Sequence, residues 1–121
     1  MDEMTRHCSE LLAPLGPVRT KRMFGGVGIY VDEFFMALII SDELYLKADD
    51  TTRPRFEAAG CEPFRYAKKD GESVSISYFR PPEEAMESSA LMQPWARMAL
   101  EAAVRARTKK PKAKAKAPKA R

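Results

Sequence analysis

The chain has 121 residues, with 21 Lys and Arg, 17 Asp and Glu, one His and 45% hydrophobic residues, for a formal net charge of +4. That length holds one modest core. No apolar run reaches the roughly 20 residues of a membrane span, and Met1–Glu10 lacks the apolar stretch of a signal peptide, so no membrane partner is expected and a cytoplasmic location is.

Residues Asp2–Leu15 read as a first helix, because Met4, Cys8, Leu11, Leu12 and Leu15 keep a 3.6-residue apolar period and Gly16-Pro17 ends the run. Met23–Val31 and Phe34–Ile40 read as strands joined at Asp32-Glu33. The second, with Phe34, Met36, Leu38 and Ile40 alternating against Phe35, Ala37 and Ile39, reads as a central strand covered on both faces. A turn at Ser41–Glu43 leads into a third strand, Leu44–Ala48, which completes a meander. Thr51–Ala59 reads as a short helix with Pro54 in its first turn, Phe56 inward and Gly60 at its end. Pro63–Lys68 and Ser73–Phe79 pair as a hairpin through Lys69-Asp70-Gly71. Arg80-Pro81-Pro82 stops that hairpin, since proline removes a ladder donor and restrains its neighbour. A last helix is expected from Gln93-Pro94, with Trp95, Ala99, Ala102, Ala103 and Ala106 inward.

The result is an α+β domain over residues 1–107, a single antiparallel sheet with packed helices in the order α-β-β-β-α-β-β-α. The charge divides at the same boundary. Residues 1–107 carry 14 basic and 17 acidic side chains, whereas Thr108–Arg121 carries seven basic and no acidic ones: Lys109, Lys110, Lys112, Lys114, Lys116, Lys119 and Arg121. This Lys/Ala/Pro-rich tail, 108–121, has no large hydrophobe to repay the entropy of ordering, so it is expected to be disordered. Its two readings are a solubilising end and a weak, nonspecific nucleic-acid contact, the latter with a salt slope no steeper than about −6 on duplex DNA.

Residue types that carry chemistry are sparse. Cys8 and Cys61 are expected as reduced thiols, and with His7 they fall short of the four patterned ligands of a structural zinc site, so no metal or other cofactor is expected. Asp49-Asp50 and Glu83-Glu84 fall in loops or caps with no shared cleft implied, and no catalytic residue is assigned.

The densest motif is Lys21-Arg22-Met23-Phe24-Gly25-Gly26-Val27-Gly28-Ile29-Tyr30. Three glycines in four positions imply an unusual backbone path or a close approach, but the spacing is not that of a phosphate-binding loop. Two readings stand: the glycines serve packing alone, or Arg22 and the glycine backbone also form part of a recognition surface. The ordered set RMFGGVGIY, FFMALIISDELYLKAD, FEAAGCEPFRY, SISYFRPPEE and the Trp95 helix resembles the N-terminal domain of the TfoX/Sxy competence-regulator family over roughly Met4–Arg107.

That resemblance implies a fold similar to the type III secretion-chaperone-like arrangement. It also implies a domain without established catalytic residues, in regulators of DNA uptake and transcription that work with the cyclic-AMP receptor protein. The positions it carries over are Arg22, Met23, Phe24, Gly25, Gly26, Gly28, Tyr30, Leu44, Tyr45, Leu46, Lys47, Phe64, Tyr66 and Tyr78. Where the full-length regulators continue into a second, helical domain, this chain is expected to have only the basic tail. The expected function is a non-enzymatic regulatory or adaptor domain with an unidentified protein partner, the contacts centred on Arg22, Tyr45, Lys47 and Arg80. The alternatives are a nucleic-acid-associated protein that binds through its tail and, further off, a small enzyme. The bland readings are that Tyr45 covers a sheet edge, Lys47 protects that edge, and Arg80 pairs with Glu83 or Glu84. An uncovered edge strand gives a homodimer a physical route.

Overall fold

The computed structural model of the chain describes residues 3–23, 25–67 and 73–109, with the backbone alone at 65–67, 73–76 and 109. Phe24, the Lys69-Asp70-Gly71 turn and the tail beyond Lys109 lie outside the described residues. The elements are α1 (Glu3–Leu12), β1 (Val18–Met23), β2 (Gly26–Val31), β3 (Phe34–Ile40), β4 (Glu43–Lys47), α2 (Arg53–Ala58), β5 (Pro63–Ala67), β6 (Ser73–Phe79) and α3 (Ser89–Lys109), with 3-10 turns at Ala13–Leu15 and Glu83–Glu87. One antiparallel sheet runs β1-β2-β3-β4-β6-β5, so the protein is α+β as its patterning predicts.

The sheet has one strand more than the expected order. Met23 closes β1 rather than opening the next strand, and it pairs with Gly26 of β2. The segment Val-Arg-Thr-Lys-Arg-Met escapes a hydrophobic-pattern reading because β1 is an edge strand whose Arg19, Lys21 and Arg22 are exposed. Gly25, at φ +75°, supplies the left-handed residue that the turn needs.

The register sorts the side chains into two faces. Val27, Ile29, Val31, Ala37, Ile39, Leu44, Leu46 and Phe79 turn toward Cys8, Leu11 and Leu12 of α1, Phe56 of α2, and Met92, Ala96, Ala99 and Ala103 of α3, and together they form the core. Simple alternation fails in β3. Ile29 pairs with Ala37 but Tyr30 pairs with Phe35, so Met36 is an extra residue, and it is buried in the core beside Ala37. This bulge puts Phe35 and Leu38 on the opposite face. The expected cover on both sides of β3 is therefore corrected: all the described helices lie on the core side. Leu38 is still only 3% exposed, between its cross-strand neighbours Gly28 and Tyr45. In β6, likewise, Ser77 and Phe79 share the helix side and Tyr78 faces away.

The helix ends follow local chemistry. α1 gives way to a 3-10 turn at Pro14, which lacks the amide an α-helix would use. α3 starts four residues before the expected Gln93, because the Ser88 Oγ accepts the Leu91 N–H (3.1 Å) as an N-cap; Pro94 thus sits inside the helix, on its exposed side. Its buried stripe is Met92, Ala96, Ala99, Ala102 and Ala103. Trp95 is half-buried against Phe56, and Ala106, expected inward, is exposed. Small residues let the α3 backbone approach the sheet closely.

Asp49, just after β4, joins two helices. Its Oδ1 accepts the amides of Thr51 (3.0 Å) and Thr52 (3.1 Å) at the start of α2, and its two oxygens take Arg105 Nε (2.6 Å) and Nη2 (3.1 Å) from α3. The Arg105 hydrogen bond holds the Asp49 carboxyl below its usual range, against the opposing effect of partial burial. A carboxyl lowered in the folded state stabilises the fold above its unfolded value and loses that contribution as pH falls through the folded one. Asp49→Asn is therefore expected to cost about 1 kcal/mol at pH 7 in urea melts, with the difference from the parent closing below about pH 4. A deficit that stays constant with pH would assign Asp49's value to its shape alone.

Candidate functional site

The motif glycines build a groove at the end of the first hairpin. At Gly26 a Cβ would overlap the Ile39 carbonyl oxygen and stand 3.0 Å from Ile40 Cγ1. At Gly28 it would meet Met23 Cε at 2.7 Å and Phe35 Cε1 at 2.9 Å. Glycine lets β2 lie against both neighbours here. Across from this hairpin end, the β3–β4 turn places Ser41 and Asp42 at positive φ, 53° and 61°. Between the two turns lies an open groove of about 510 Å³, lined by Arg22, Met23, Gly25, Gly26, Val27, Ile39, Ser41 and Asp42. Arg22 and Asp42 are exposed, and neither has an ion-pair partner among the described residues. A guanidinium, a carboxylate, a hydroxyl and an apolar floor of Val27 and Ile39 suit a polar chain segment with a small apolar side chain.

The other expected contact residues do not join Arg22. Arg22 pairs with Val27 on the helix side of the sheet, whereas Tyr45 pairs with Leu38 and Lys47 with Tyr78 on the helix-free side. That second face has its own order. The Arg19 guanidinium lies 4.4 Å from the Tyr30 ring centre, Tyr30 is 5.2 Å from Phe35, Phe35 is 6.2 Å from Tyr78, and Lys47 Nζ is 5.3 Å from the Tyr78 ring. Burial, with a smaller effect of Tyr30, pushes the Tyr78 hydroxyl up to about 12, so it stays protonated at neutral pH. Tyr45 packs edge-on against Phe64 at 4.9 Å, and burial, then Glu43, raises its hydroxyl pKa.

Arg80 pairs with neither Glu83 nor Glu84. Its Nη2 reaches Glu43 at 2.7 Å, because Glu43 on β4 occupies the helix-free face just beyond the point where β6 ends. Of the expected site residues, then, Arg22, Met23, Gly25 and Gly26 share the groove; Gly28, Tyr30, Tyr45, Lys47 and Arg80 belong to the helix-free face. Phe24 lies outside the described residues, as do Lys110, Lys112, Lys114, Lys116, Lys119 and Arg121; Lys109 is the last residue of α3. Pattern reading missed Ser41 and Asp42 in the groove and Arg19 and Phe35 on the face. The alternation Arg19, Lys21, Met23 opposite Tyr30, Gly28, Gly26 was the available signal, once β1 is recognised as a strand.

His7 Nε2 donates to the Met86 carbonyl oxygen at 2.7 Å, which places its proton on Nε2 and ties α1 to the segment before α3. Neither cysteine is in a disulfide: Cys8 is buried in the core, and Cys61 is half-buried, with its pKa raised by burial and then by Glu84, the reverse of an activated nucleophile. Among the described residues no three His, Cys, Asp or Glu side chains converge as metal ligands, and no helix is long and apolar enough to cross a membrane.

Comparison of the sequence with known proteins finds relatives. DNA transformation protein TfoX1 of Aliivibrio fischeri is 29% identical over 105 residues, covering 75% of this chain and 50% of that protein. Protein Sxy of Escherichia coli is 27% identical over 96 residues, covering 79% of this chain and 46% of that protein. The chain spans about half the length of these curated relatives. The model of the TfoX N-terminal domain matches residues 10–103, from the end of α1 to the last buried alanine of α3, and on that match the chain belongs to the TfoX N-terminal domain family.

Proposed function

We propose that this chain is a non-enzymatic regulatory or adaptor domain that works by holding a protein partner in the groove between the β1–β2 and β3–β4 turns. The observation that carries this reading is the convergence of Arg22, Met23, Gly25 and Gly26, all positions of the motif that bears the family resemblance, on one groove whose rim holds the charged, exposed Arg22 and Asp42. A role linked to DNA transformation, the process in the name of the Aliivibrio fischeri relative, and a cytoplasmic location belong to the same reading. The partner in this proposal is a different protein. In an antiparallel self-pairing of β1 edges, Arg19, Lys21 and Arg22 of one copy would lie along the same three cations of the other, which opposes a homodimer by that route.

Affinity capture with the full chain, after nuclease treatment, tests the proposal. A partner retained at 0.3 M salt is expected, and Arg22→Glu is expected to reduce its capture about tenfold with the fold intact by circular dichroism. Equal capture by the parent and the variant would remove the groove from the interaction. The seven basic residues from Lys109 to Arg121 favour a second reading, weak nonspecific nucleic-acid attraction by the tail.

A further inference from the structure

The helix-free face of the sheet has the composition of a stacking platform. Tyr30 and Phe35 are half-buried rather than sealed, their rings adjoin, and cationic side chains stand at both ends of the aromatic row: Arg19 and Lys21 from β1, Lys47 from β4. Lys21 is exposed and has no ion-pair partner among the described residues. Among the described strand residues Glu43 is the single acid on this face, and it is bound to Arg80 at the far side of the row. The face therefore offers aromatic surface interleaved with positive charge, whereas Phe34 and Phe79 on the other side of the same sheet pack into the core.

The end of α3 adds a second, independent observation. Arg107 lies with its guanidinium 4.1 Å from the Phe34 ring centre, and its Nη1 donates to the Glu33 carbonyl oxygen at 3.3 Å. Glu33 in turn accepts from Arg19 Nε (3.1 Å) and pairs with Arg19 Nη2 (2.9 Å). The end of α3 thus adds a cation, Arg107, beside the turn that holds the Arg19–Tyr30 end of the row. Two residues after Arg107 come Lys109 and then the six further basic residues of the tail.

We infer that the helix-free face, with Tyr30 and Phe35 as base-stacking groups and Lys21 and Lys47 as phosphate contacts, binds single-stranded nucleic acid. Single strands expose base faces that aromatic rings can cover without regard to sequence, and a groove or face that alternates rings with cations is suited to them. A duplex hides those faces, so it gains only the salt-sensitive attraction of the lysines. The proposal concerns the surface opposite Arg22, so its failure and that of the partner groove are separable.

The test uses the full chain and fluorescent dT20, against a 20-base-pair duplex and a poly-glutamate peptide, by anisotropy at 0.1 and 0.3 M salt. The expected result is tighter binding of dT20 than of the duplex at both salts, on the order of tenfold at 0.3 M. Tyr30→Leu is expected to abolish that preference while leaving the duplex affinity unchanged, and Tyr30→Phe to retain it. Lys21→Glu, at an exposed position that does not disturb the fold, is expected to weaken dT20 binding. It should also make the salt slope shallower by more than about 1, the change that neutralising one phosphate-binding lysine produces. Circular dichroism confirms folding of each variant. Equal affinity for dT20 and duplex, dT20 binding and salt slope unchanged by Lys21→Glu, a preference that survives in a folded Tyr30→Leu, or binding of poly-glutamate in place of dT20 overturns the inference; the last result would assign the face to acidic protein.

Discussion

Gly26→Ala is expected to destabilise the domain by about 3 kcal/mol, at the upper end of what overpacking costs, and to lower its melting temperature by more than roughly 10 °C. The reason is steric. The added methyl would occupy the position of the Ile39 carbonyl oxygen, a backbone atom held in the sheet, so relief requires β2 and β3 to separate. The three motif glycines differ in this respect, which makes the series informative. At Gly28 the closest atom is the flexible tip of Met23, although the Phe35 ring is also within 2.9 Å, so alanine there is expected to cost less. At Gly25 nothing lies within 4 Å, and alanine meets only the left-handed backbone at φ +75°, a cost of about 1 kcal/mol. Urea melts of the three alanine variants should rank Gly26 first and Gly25 last. Were Gly25→Ala to cost as much as Gly26→Ala, the motif would owe its glycines to turn geometry and not to close packing.

Phe56→Ala should have an effect of similar or greater size, a loss of about 3–5 kcal/mol. Phe56 is fully buried; its ring stacks on Phe79 at 5.2 Å with 14° between planes and meets Trp95 at 5.4 Å. It is the buried side chain by which the six-residue α2 is fastened to the core, between the sheet and α3. A helix so short has little stability of its own, so removing the ring leaves both a cavity and an unanchored turn. The experiment has an internal reporter, because Trp95 is the single tryptophan. Its emission should shift to longer wavelength in the folded variant as water reaches the vacated side of the indole. A loss below about 1 kcal/mol with unchanged emission would mean that neighbouring side chains collapse into the space and that α2 is held by its Asp49 cap instead.

Much of this fold is legible in the residues themselves. Cys8, Leu11 and Leu12 on one face of α1, Phe56 inward between a proline start and Gly60, and the alternation in β4 all follow from periodicity. The errors have physical causes. β1 is an edge strand whose exposed cations conceal its pairing from any hydrophobic pattern, the β3 bulge breaks the two-residue period, and the Ser88 cap opens α3 ahead of Pro94, the residue expected in its first turn. The candidate sites were legible as residue types but not as places. Arg22 and Lys47 stand close in any inventory of motif cations, yet opposite strand parity sends them to opposite faces of the sheet.

The extra residue Met36 has a reach beyond its own strand. Because β3 changes phase there, Phe34 packs toward the core at one end of the strand and Ala37 and Ile39 do so at the other, while Phe35 and Leu38 are both sent to the far side. A strand of regular pleat with the same amino acids would have to choose, exposing either the core half or the aromatic half to the wrong surroundings. The interior of this domain and the ring-bearing surface outside it are thus set by one backbone irregularity. A family member without the additional residue at this point must present a different set of side chains on one of its two faces, however similar the rest of its sequence.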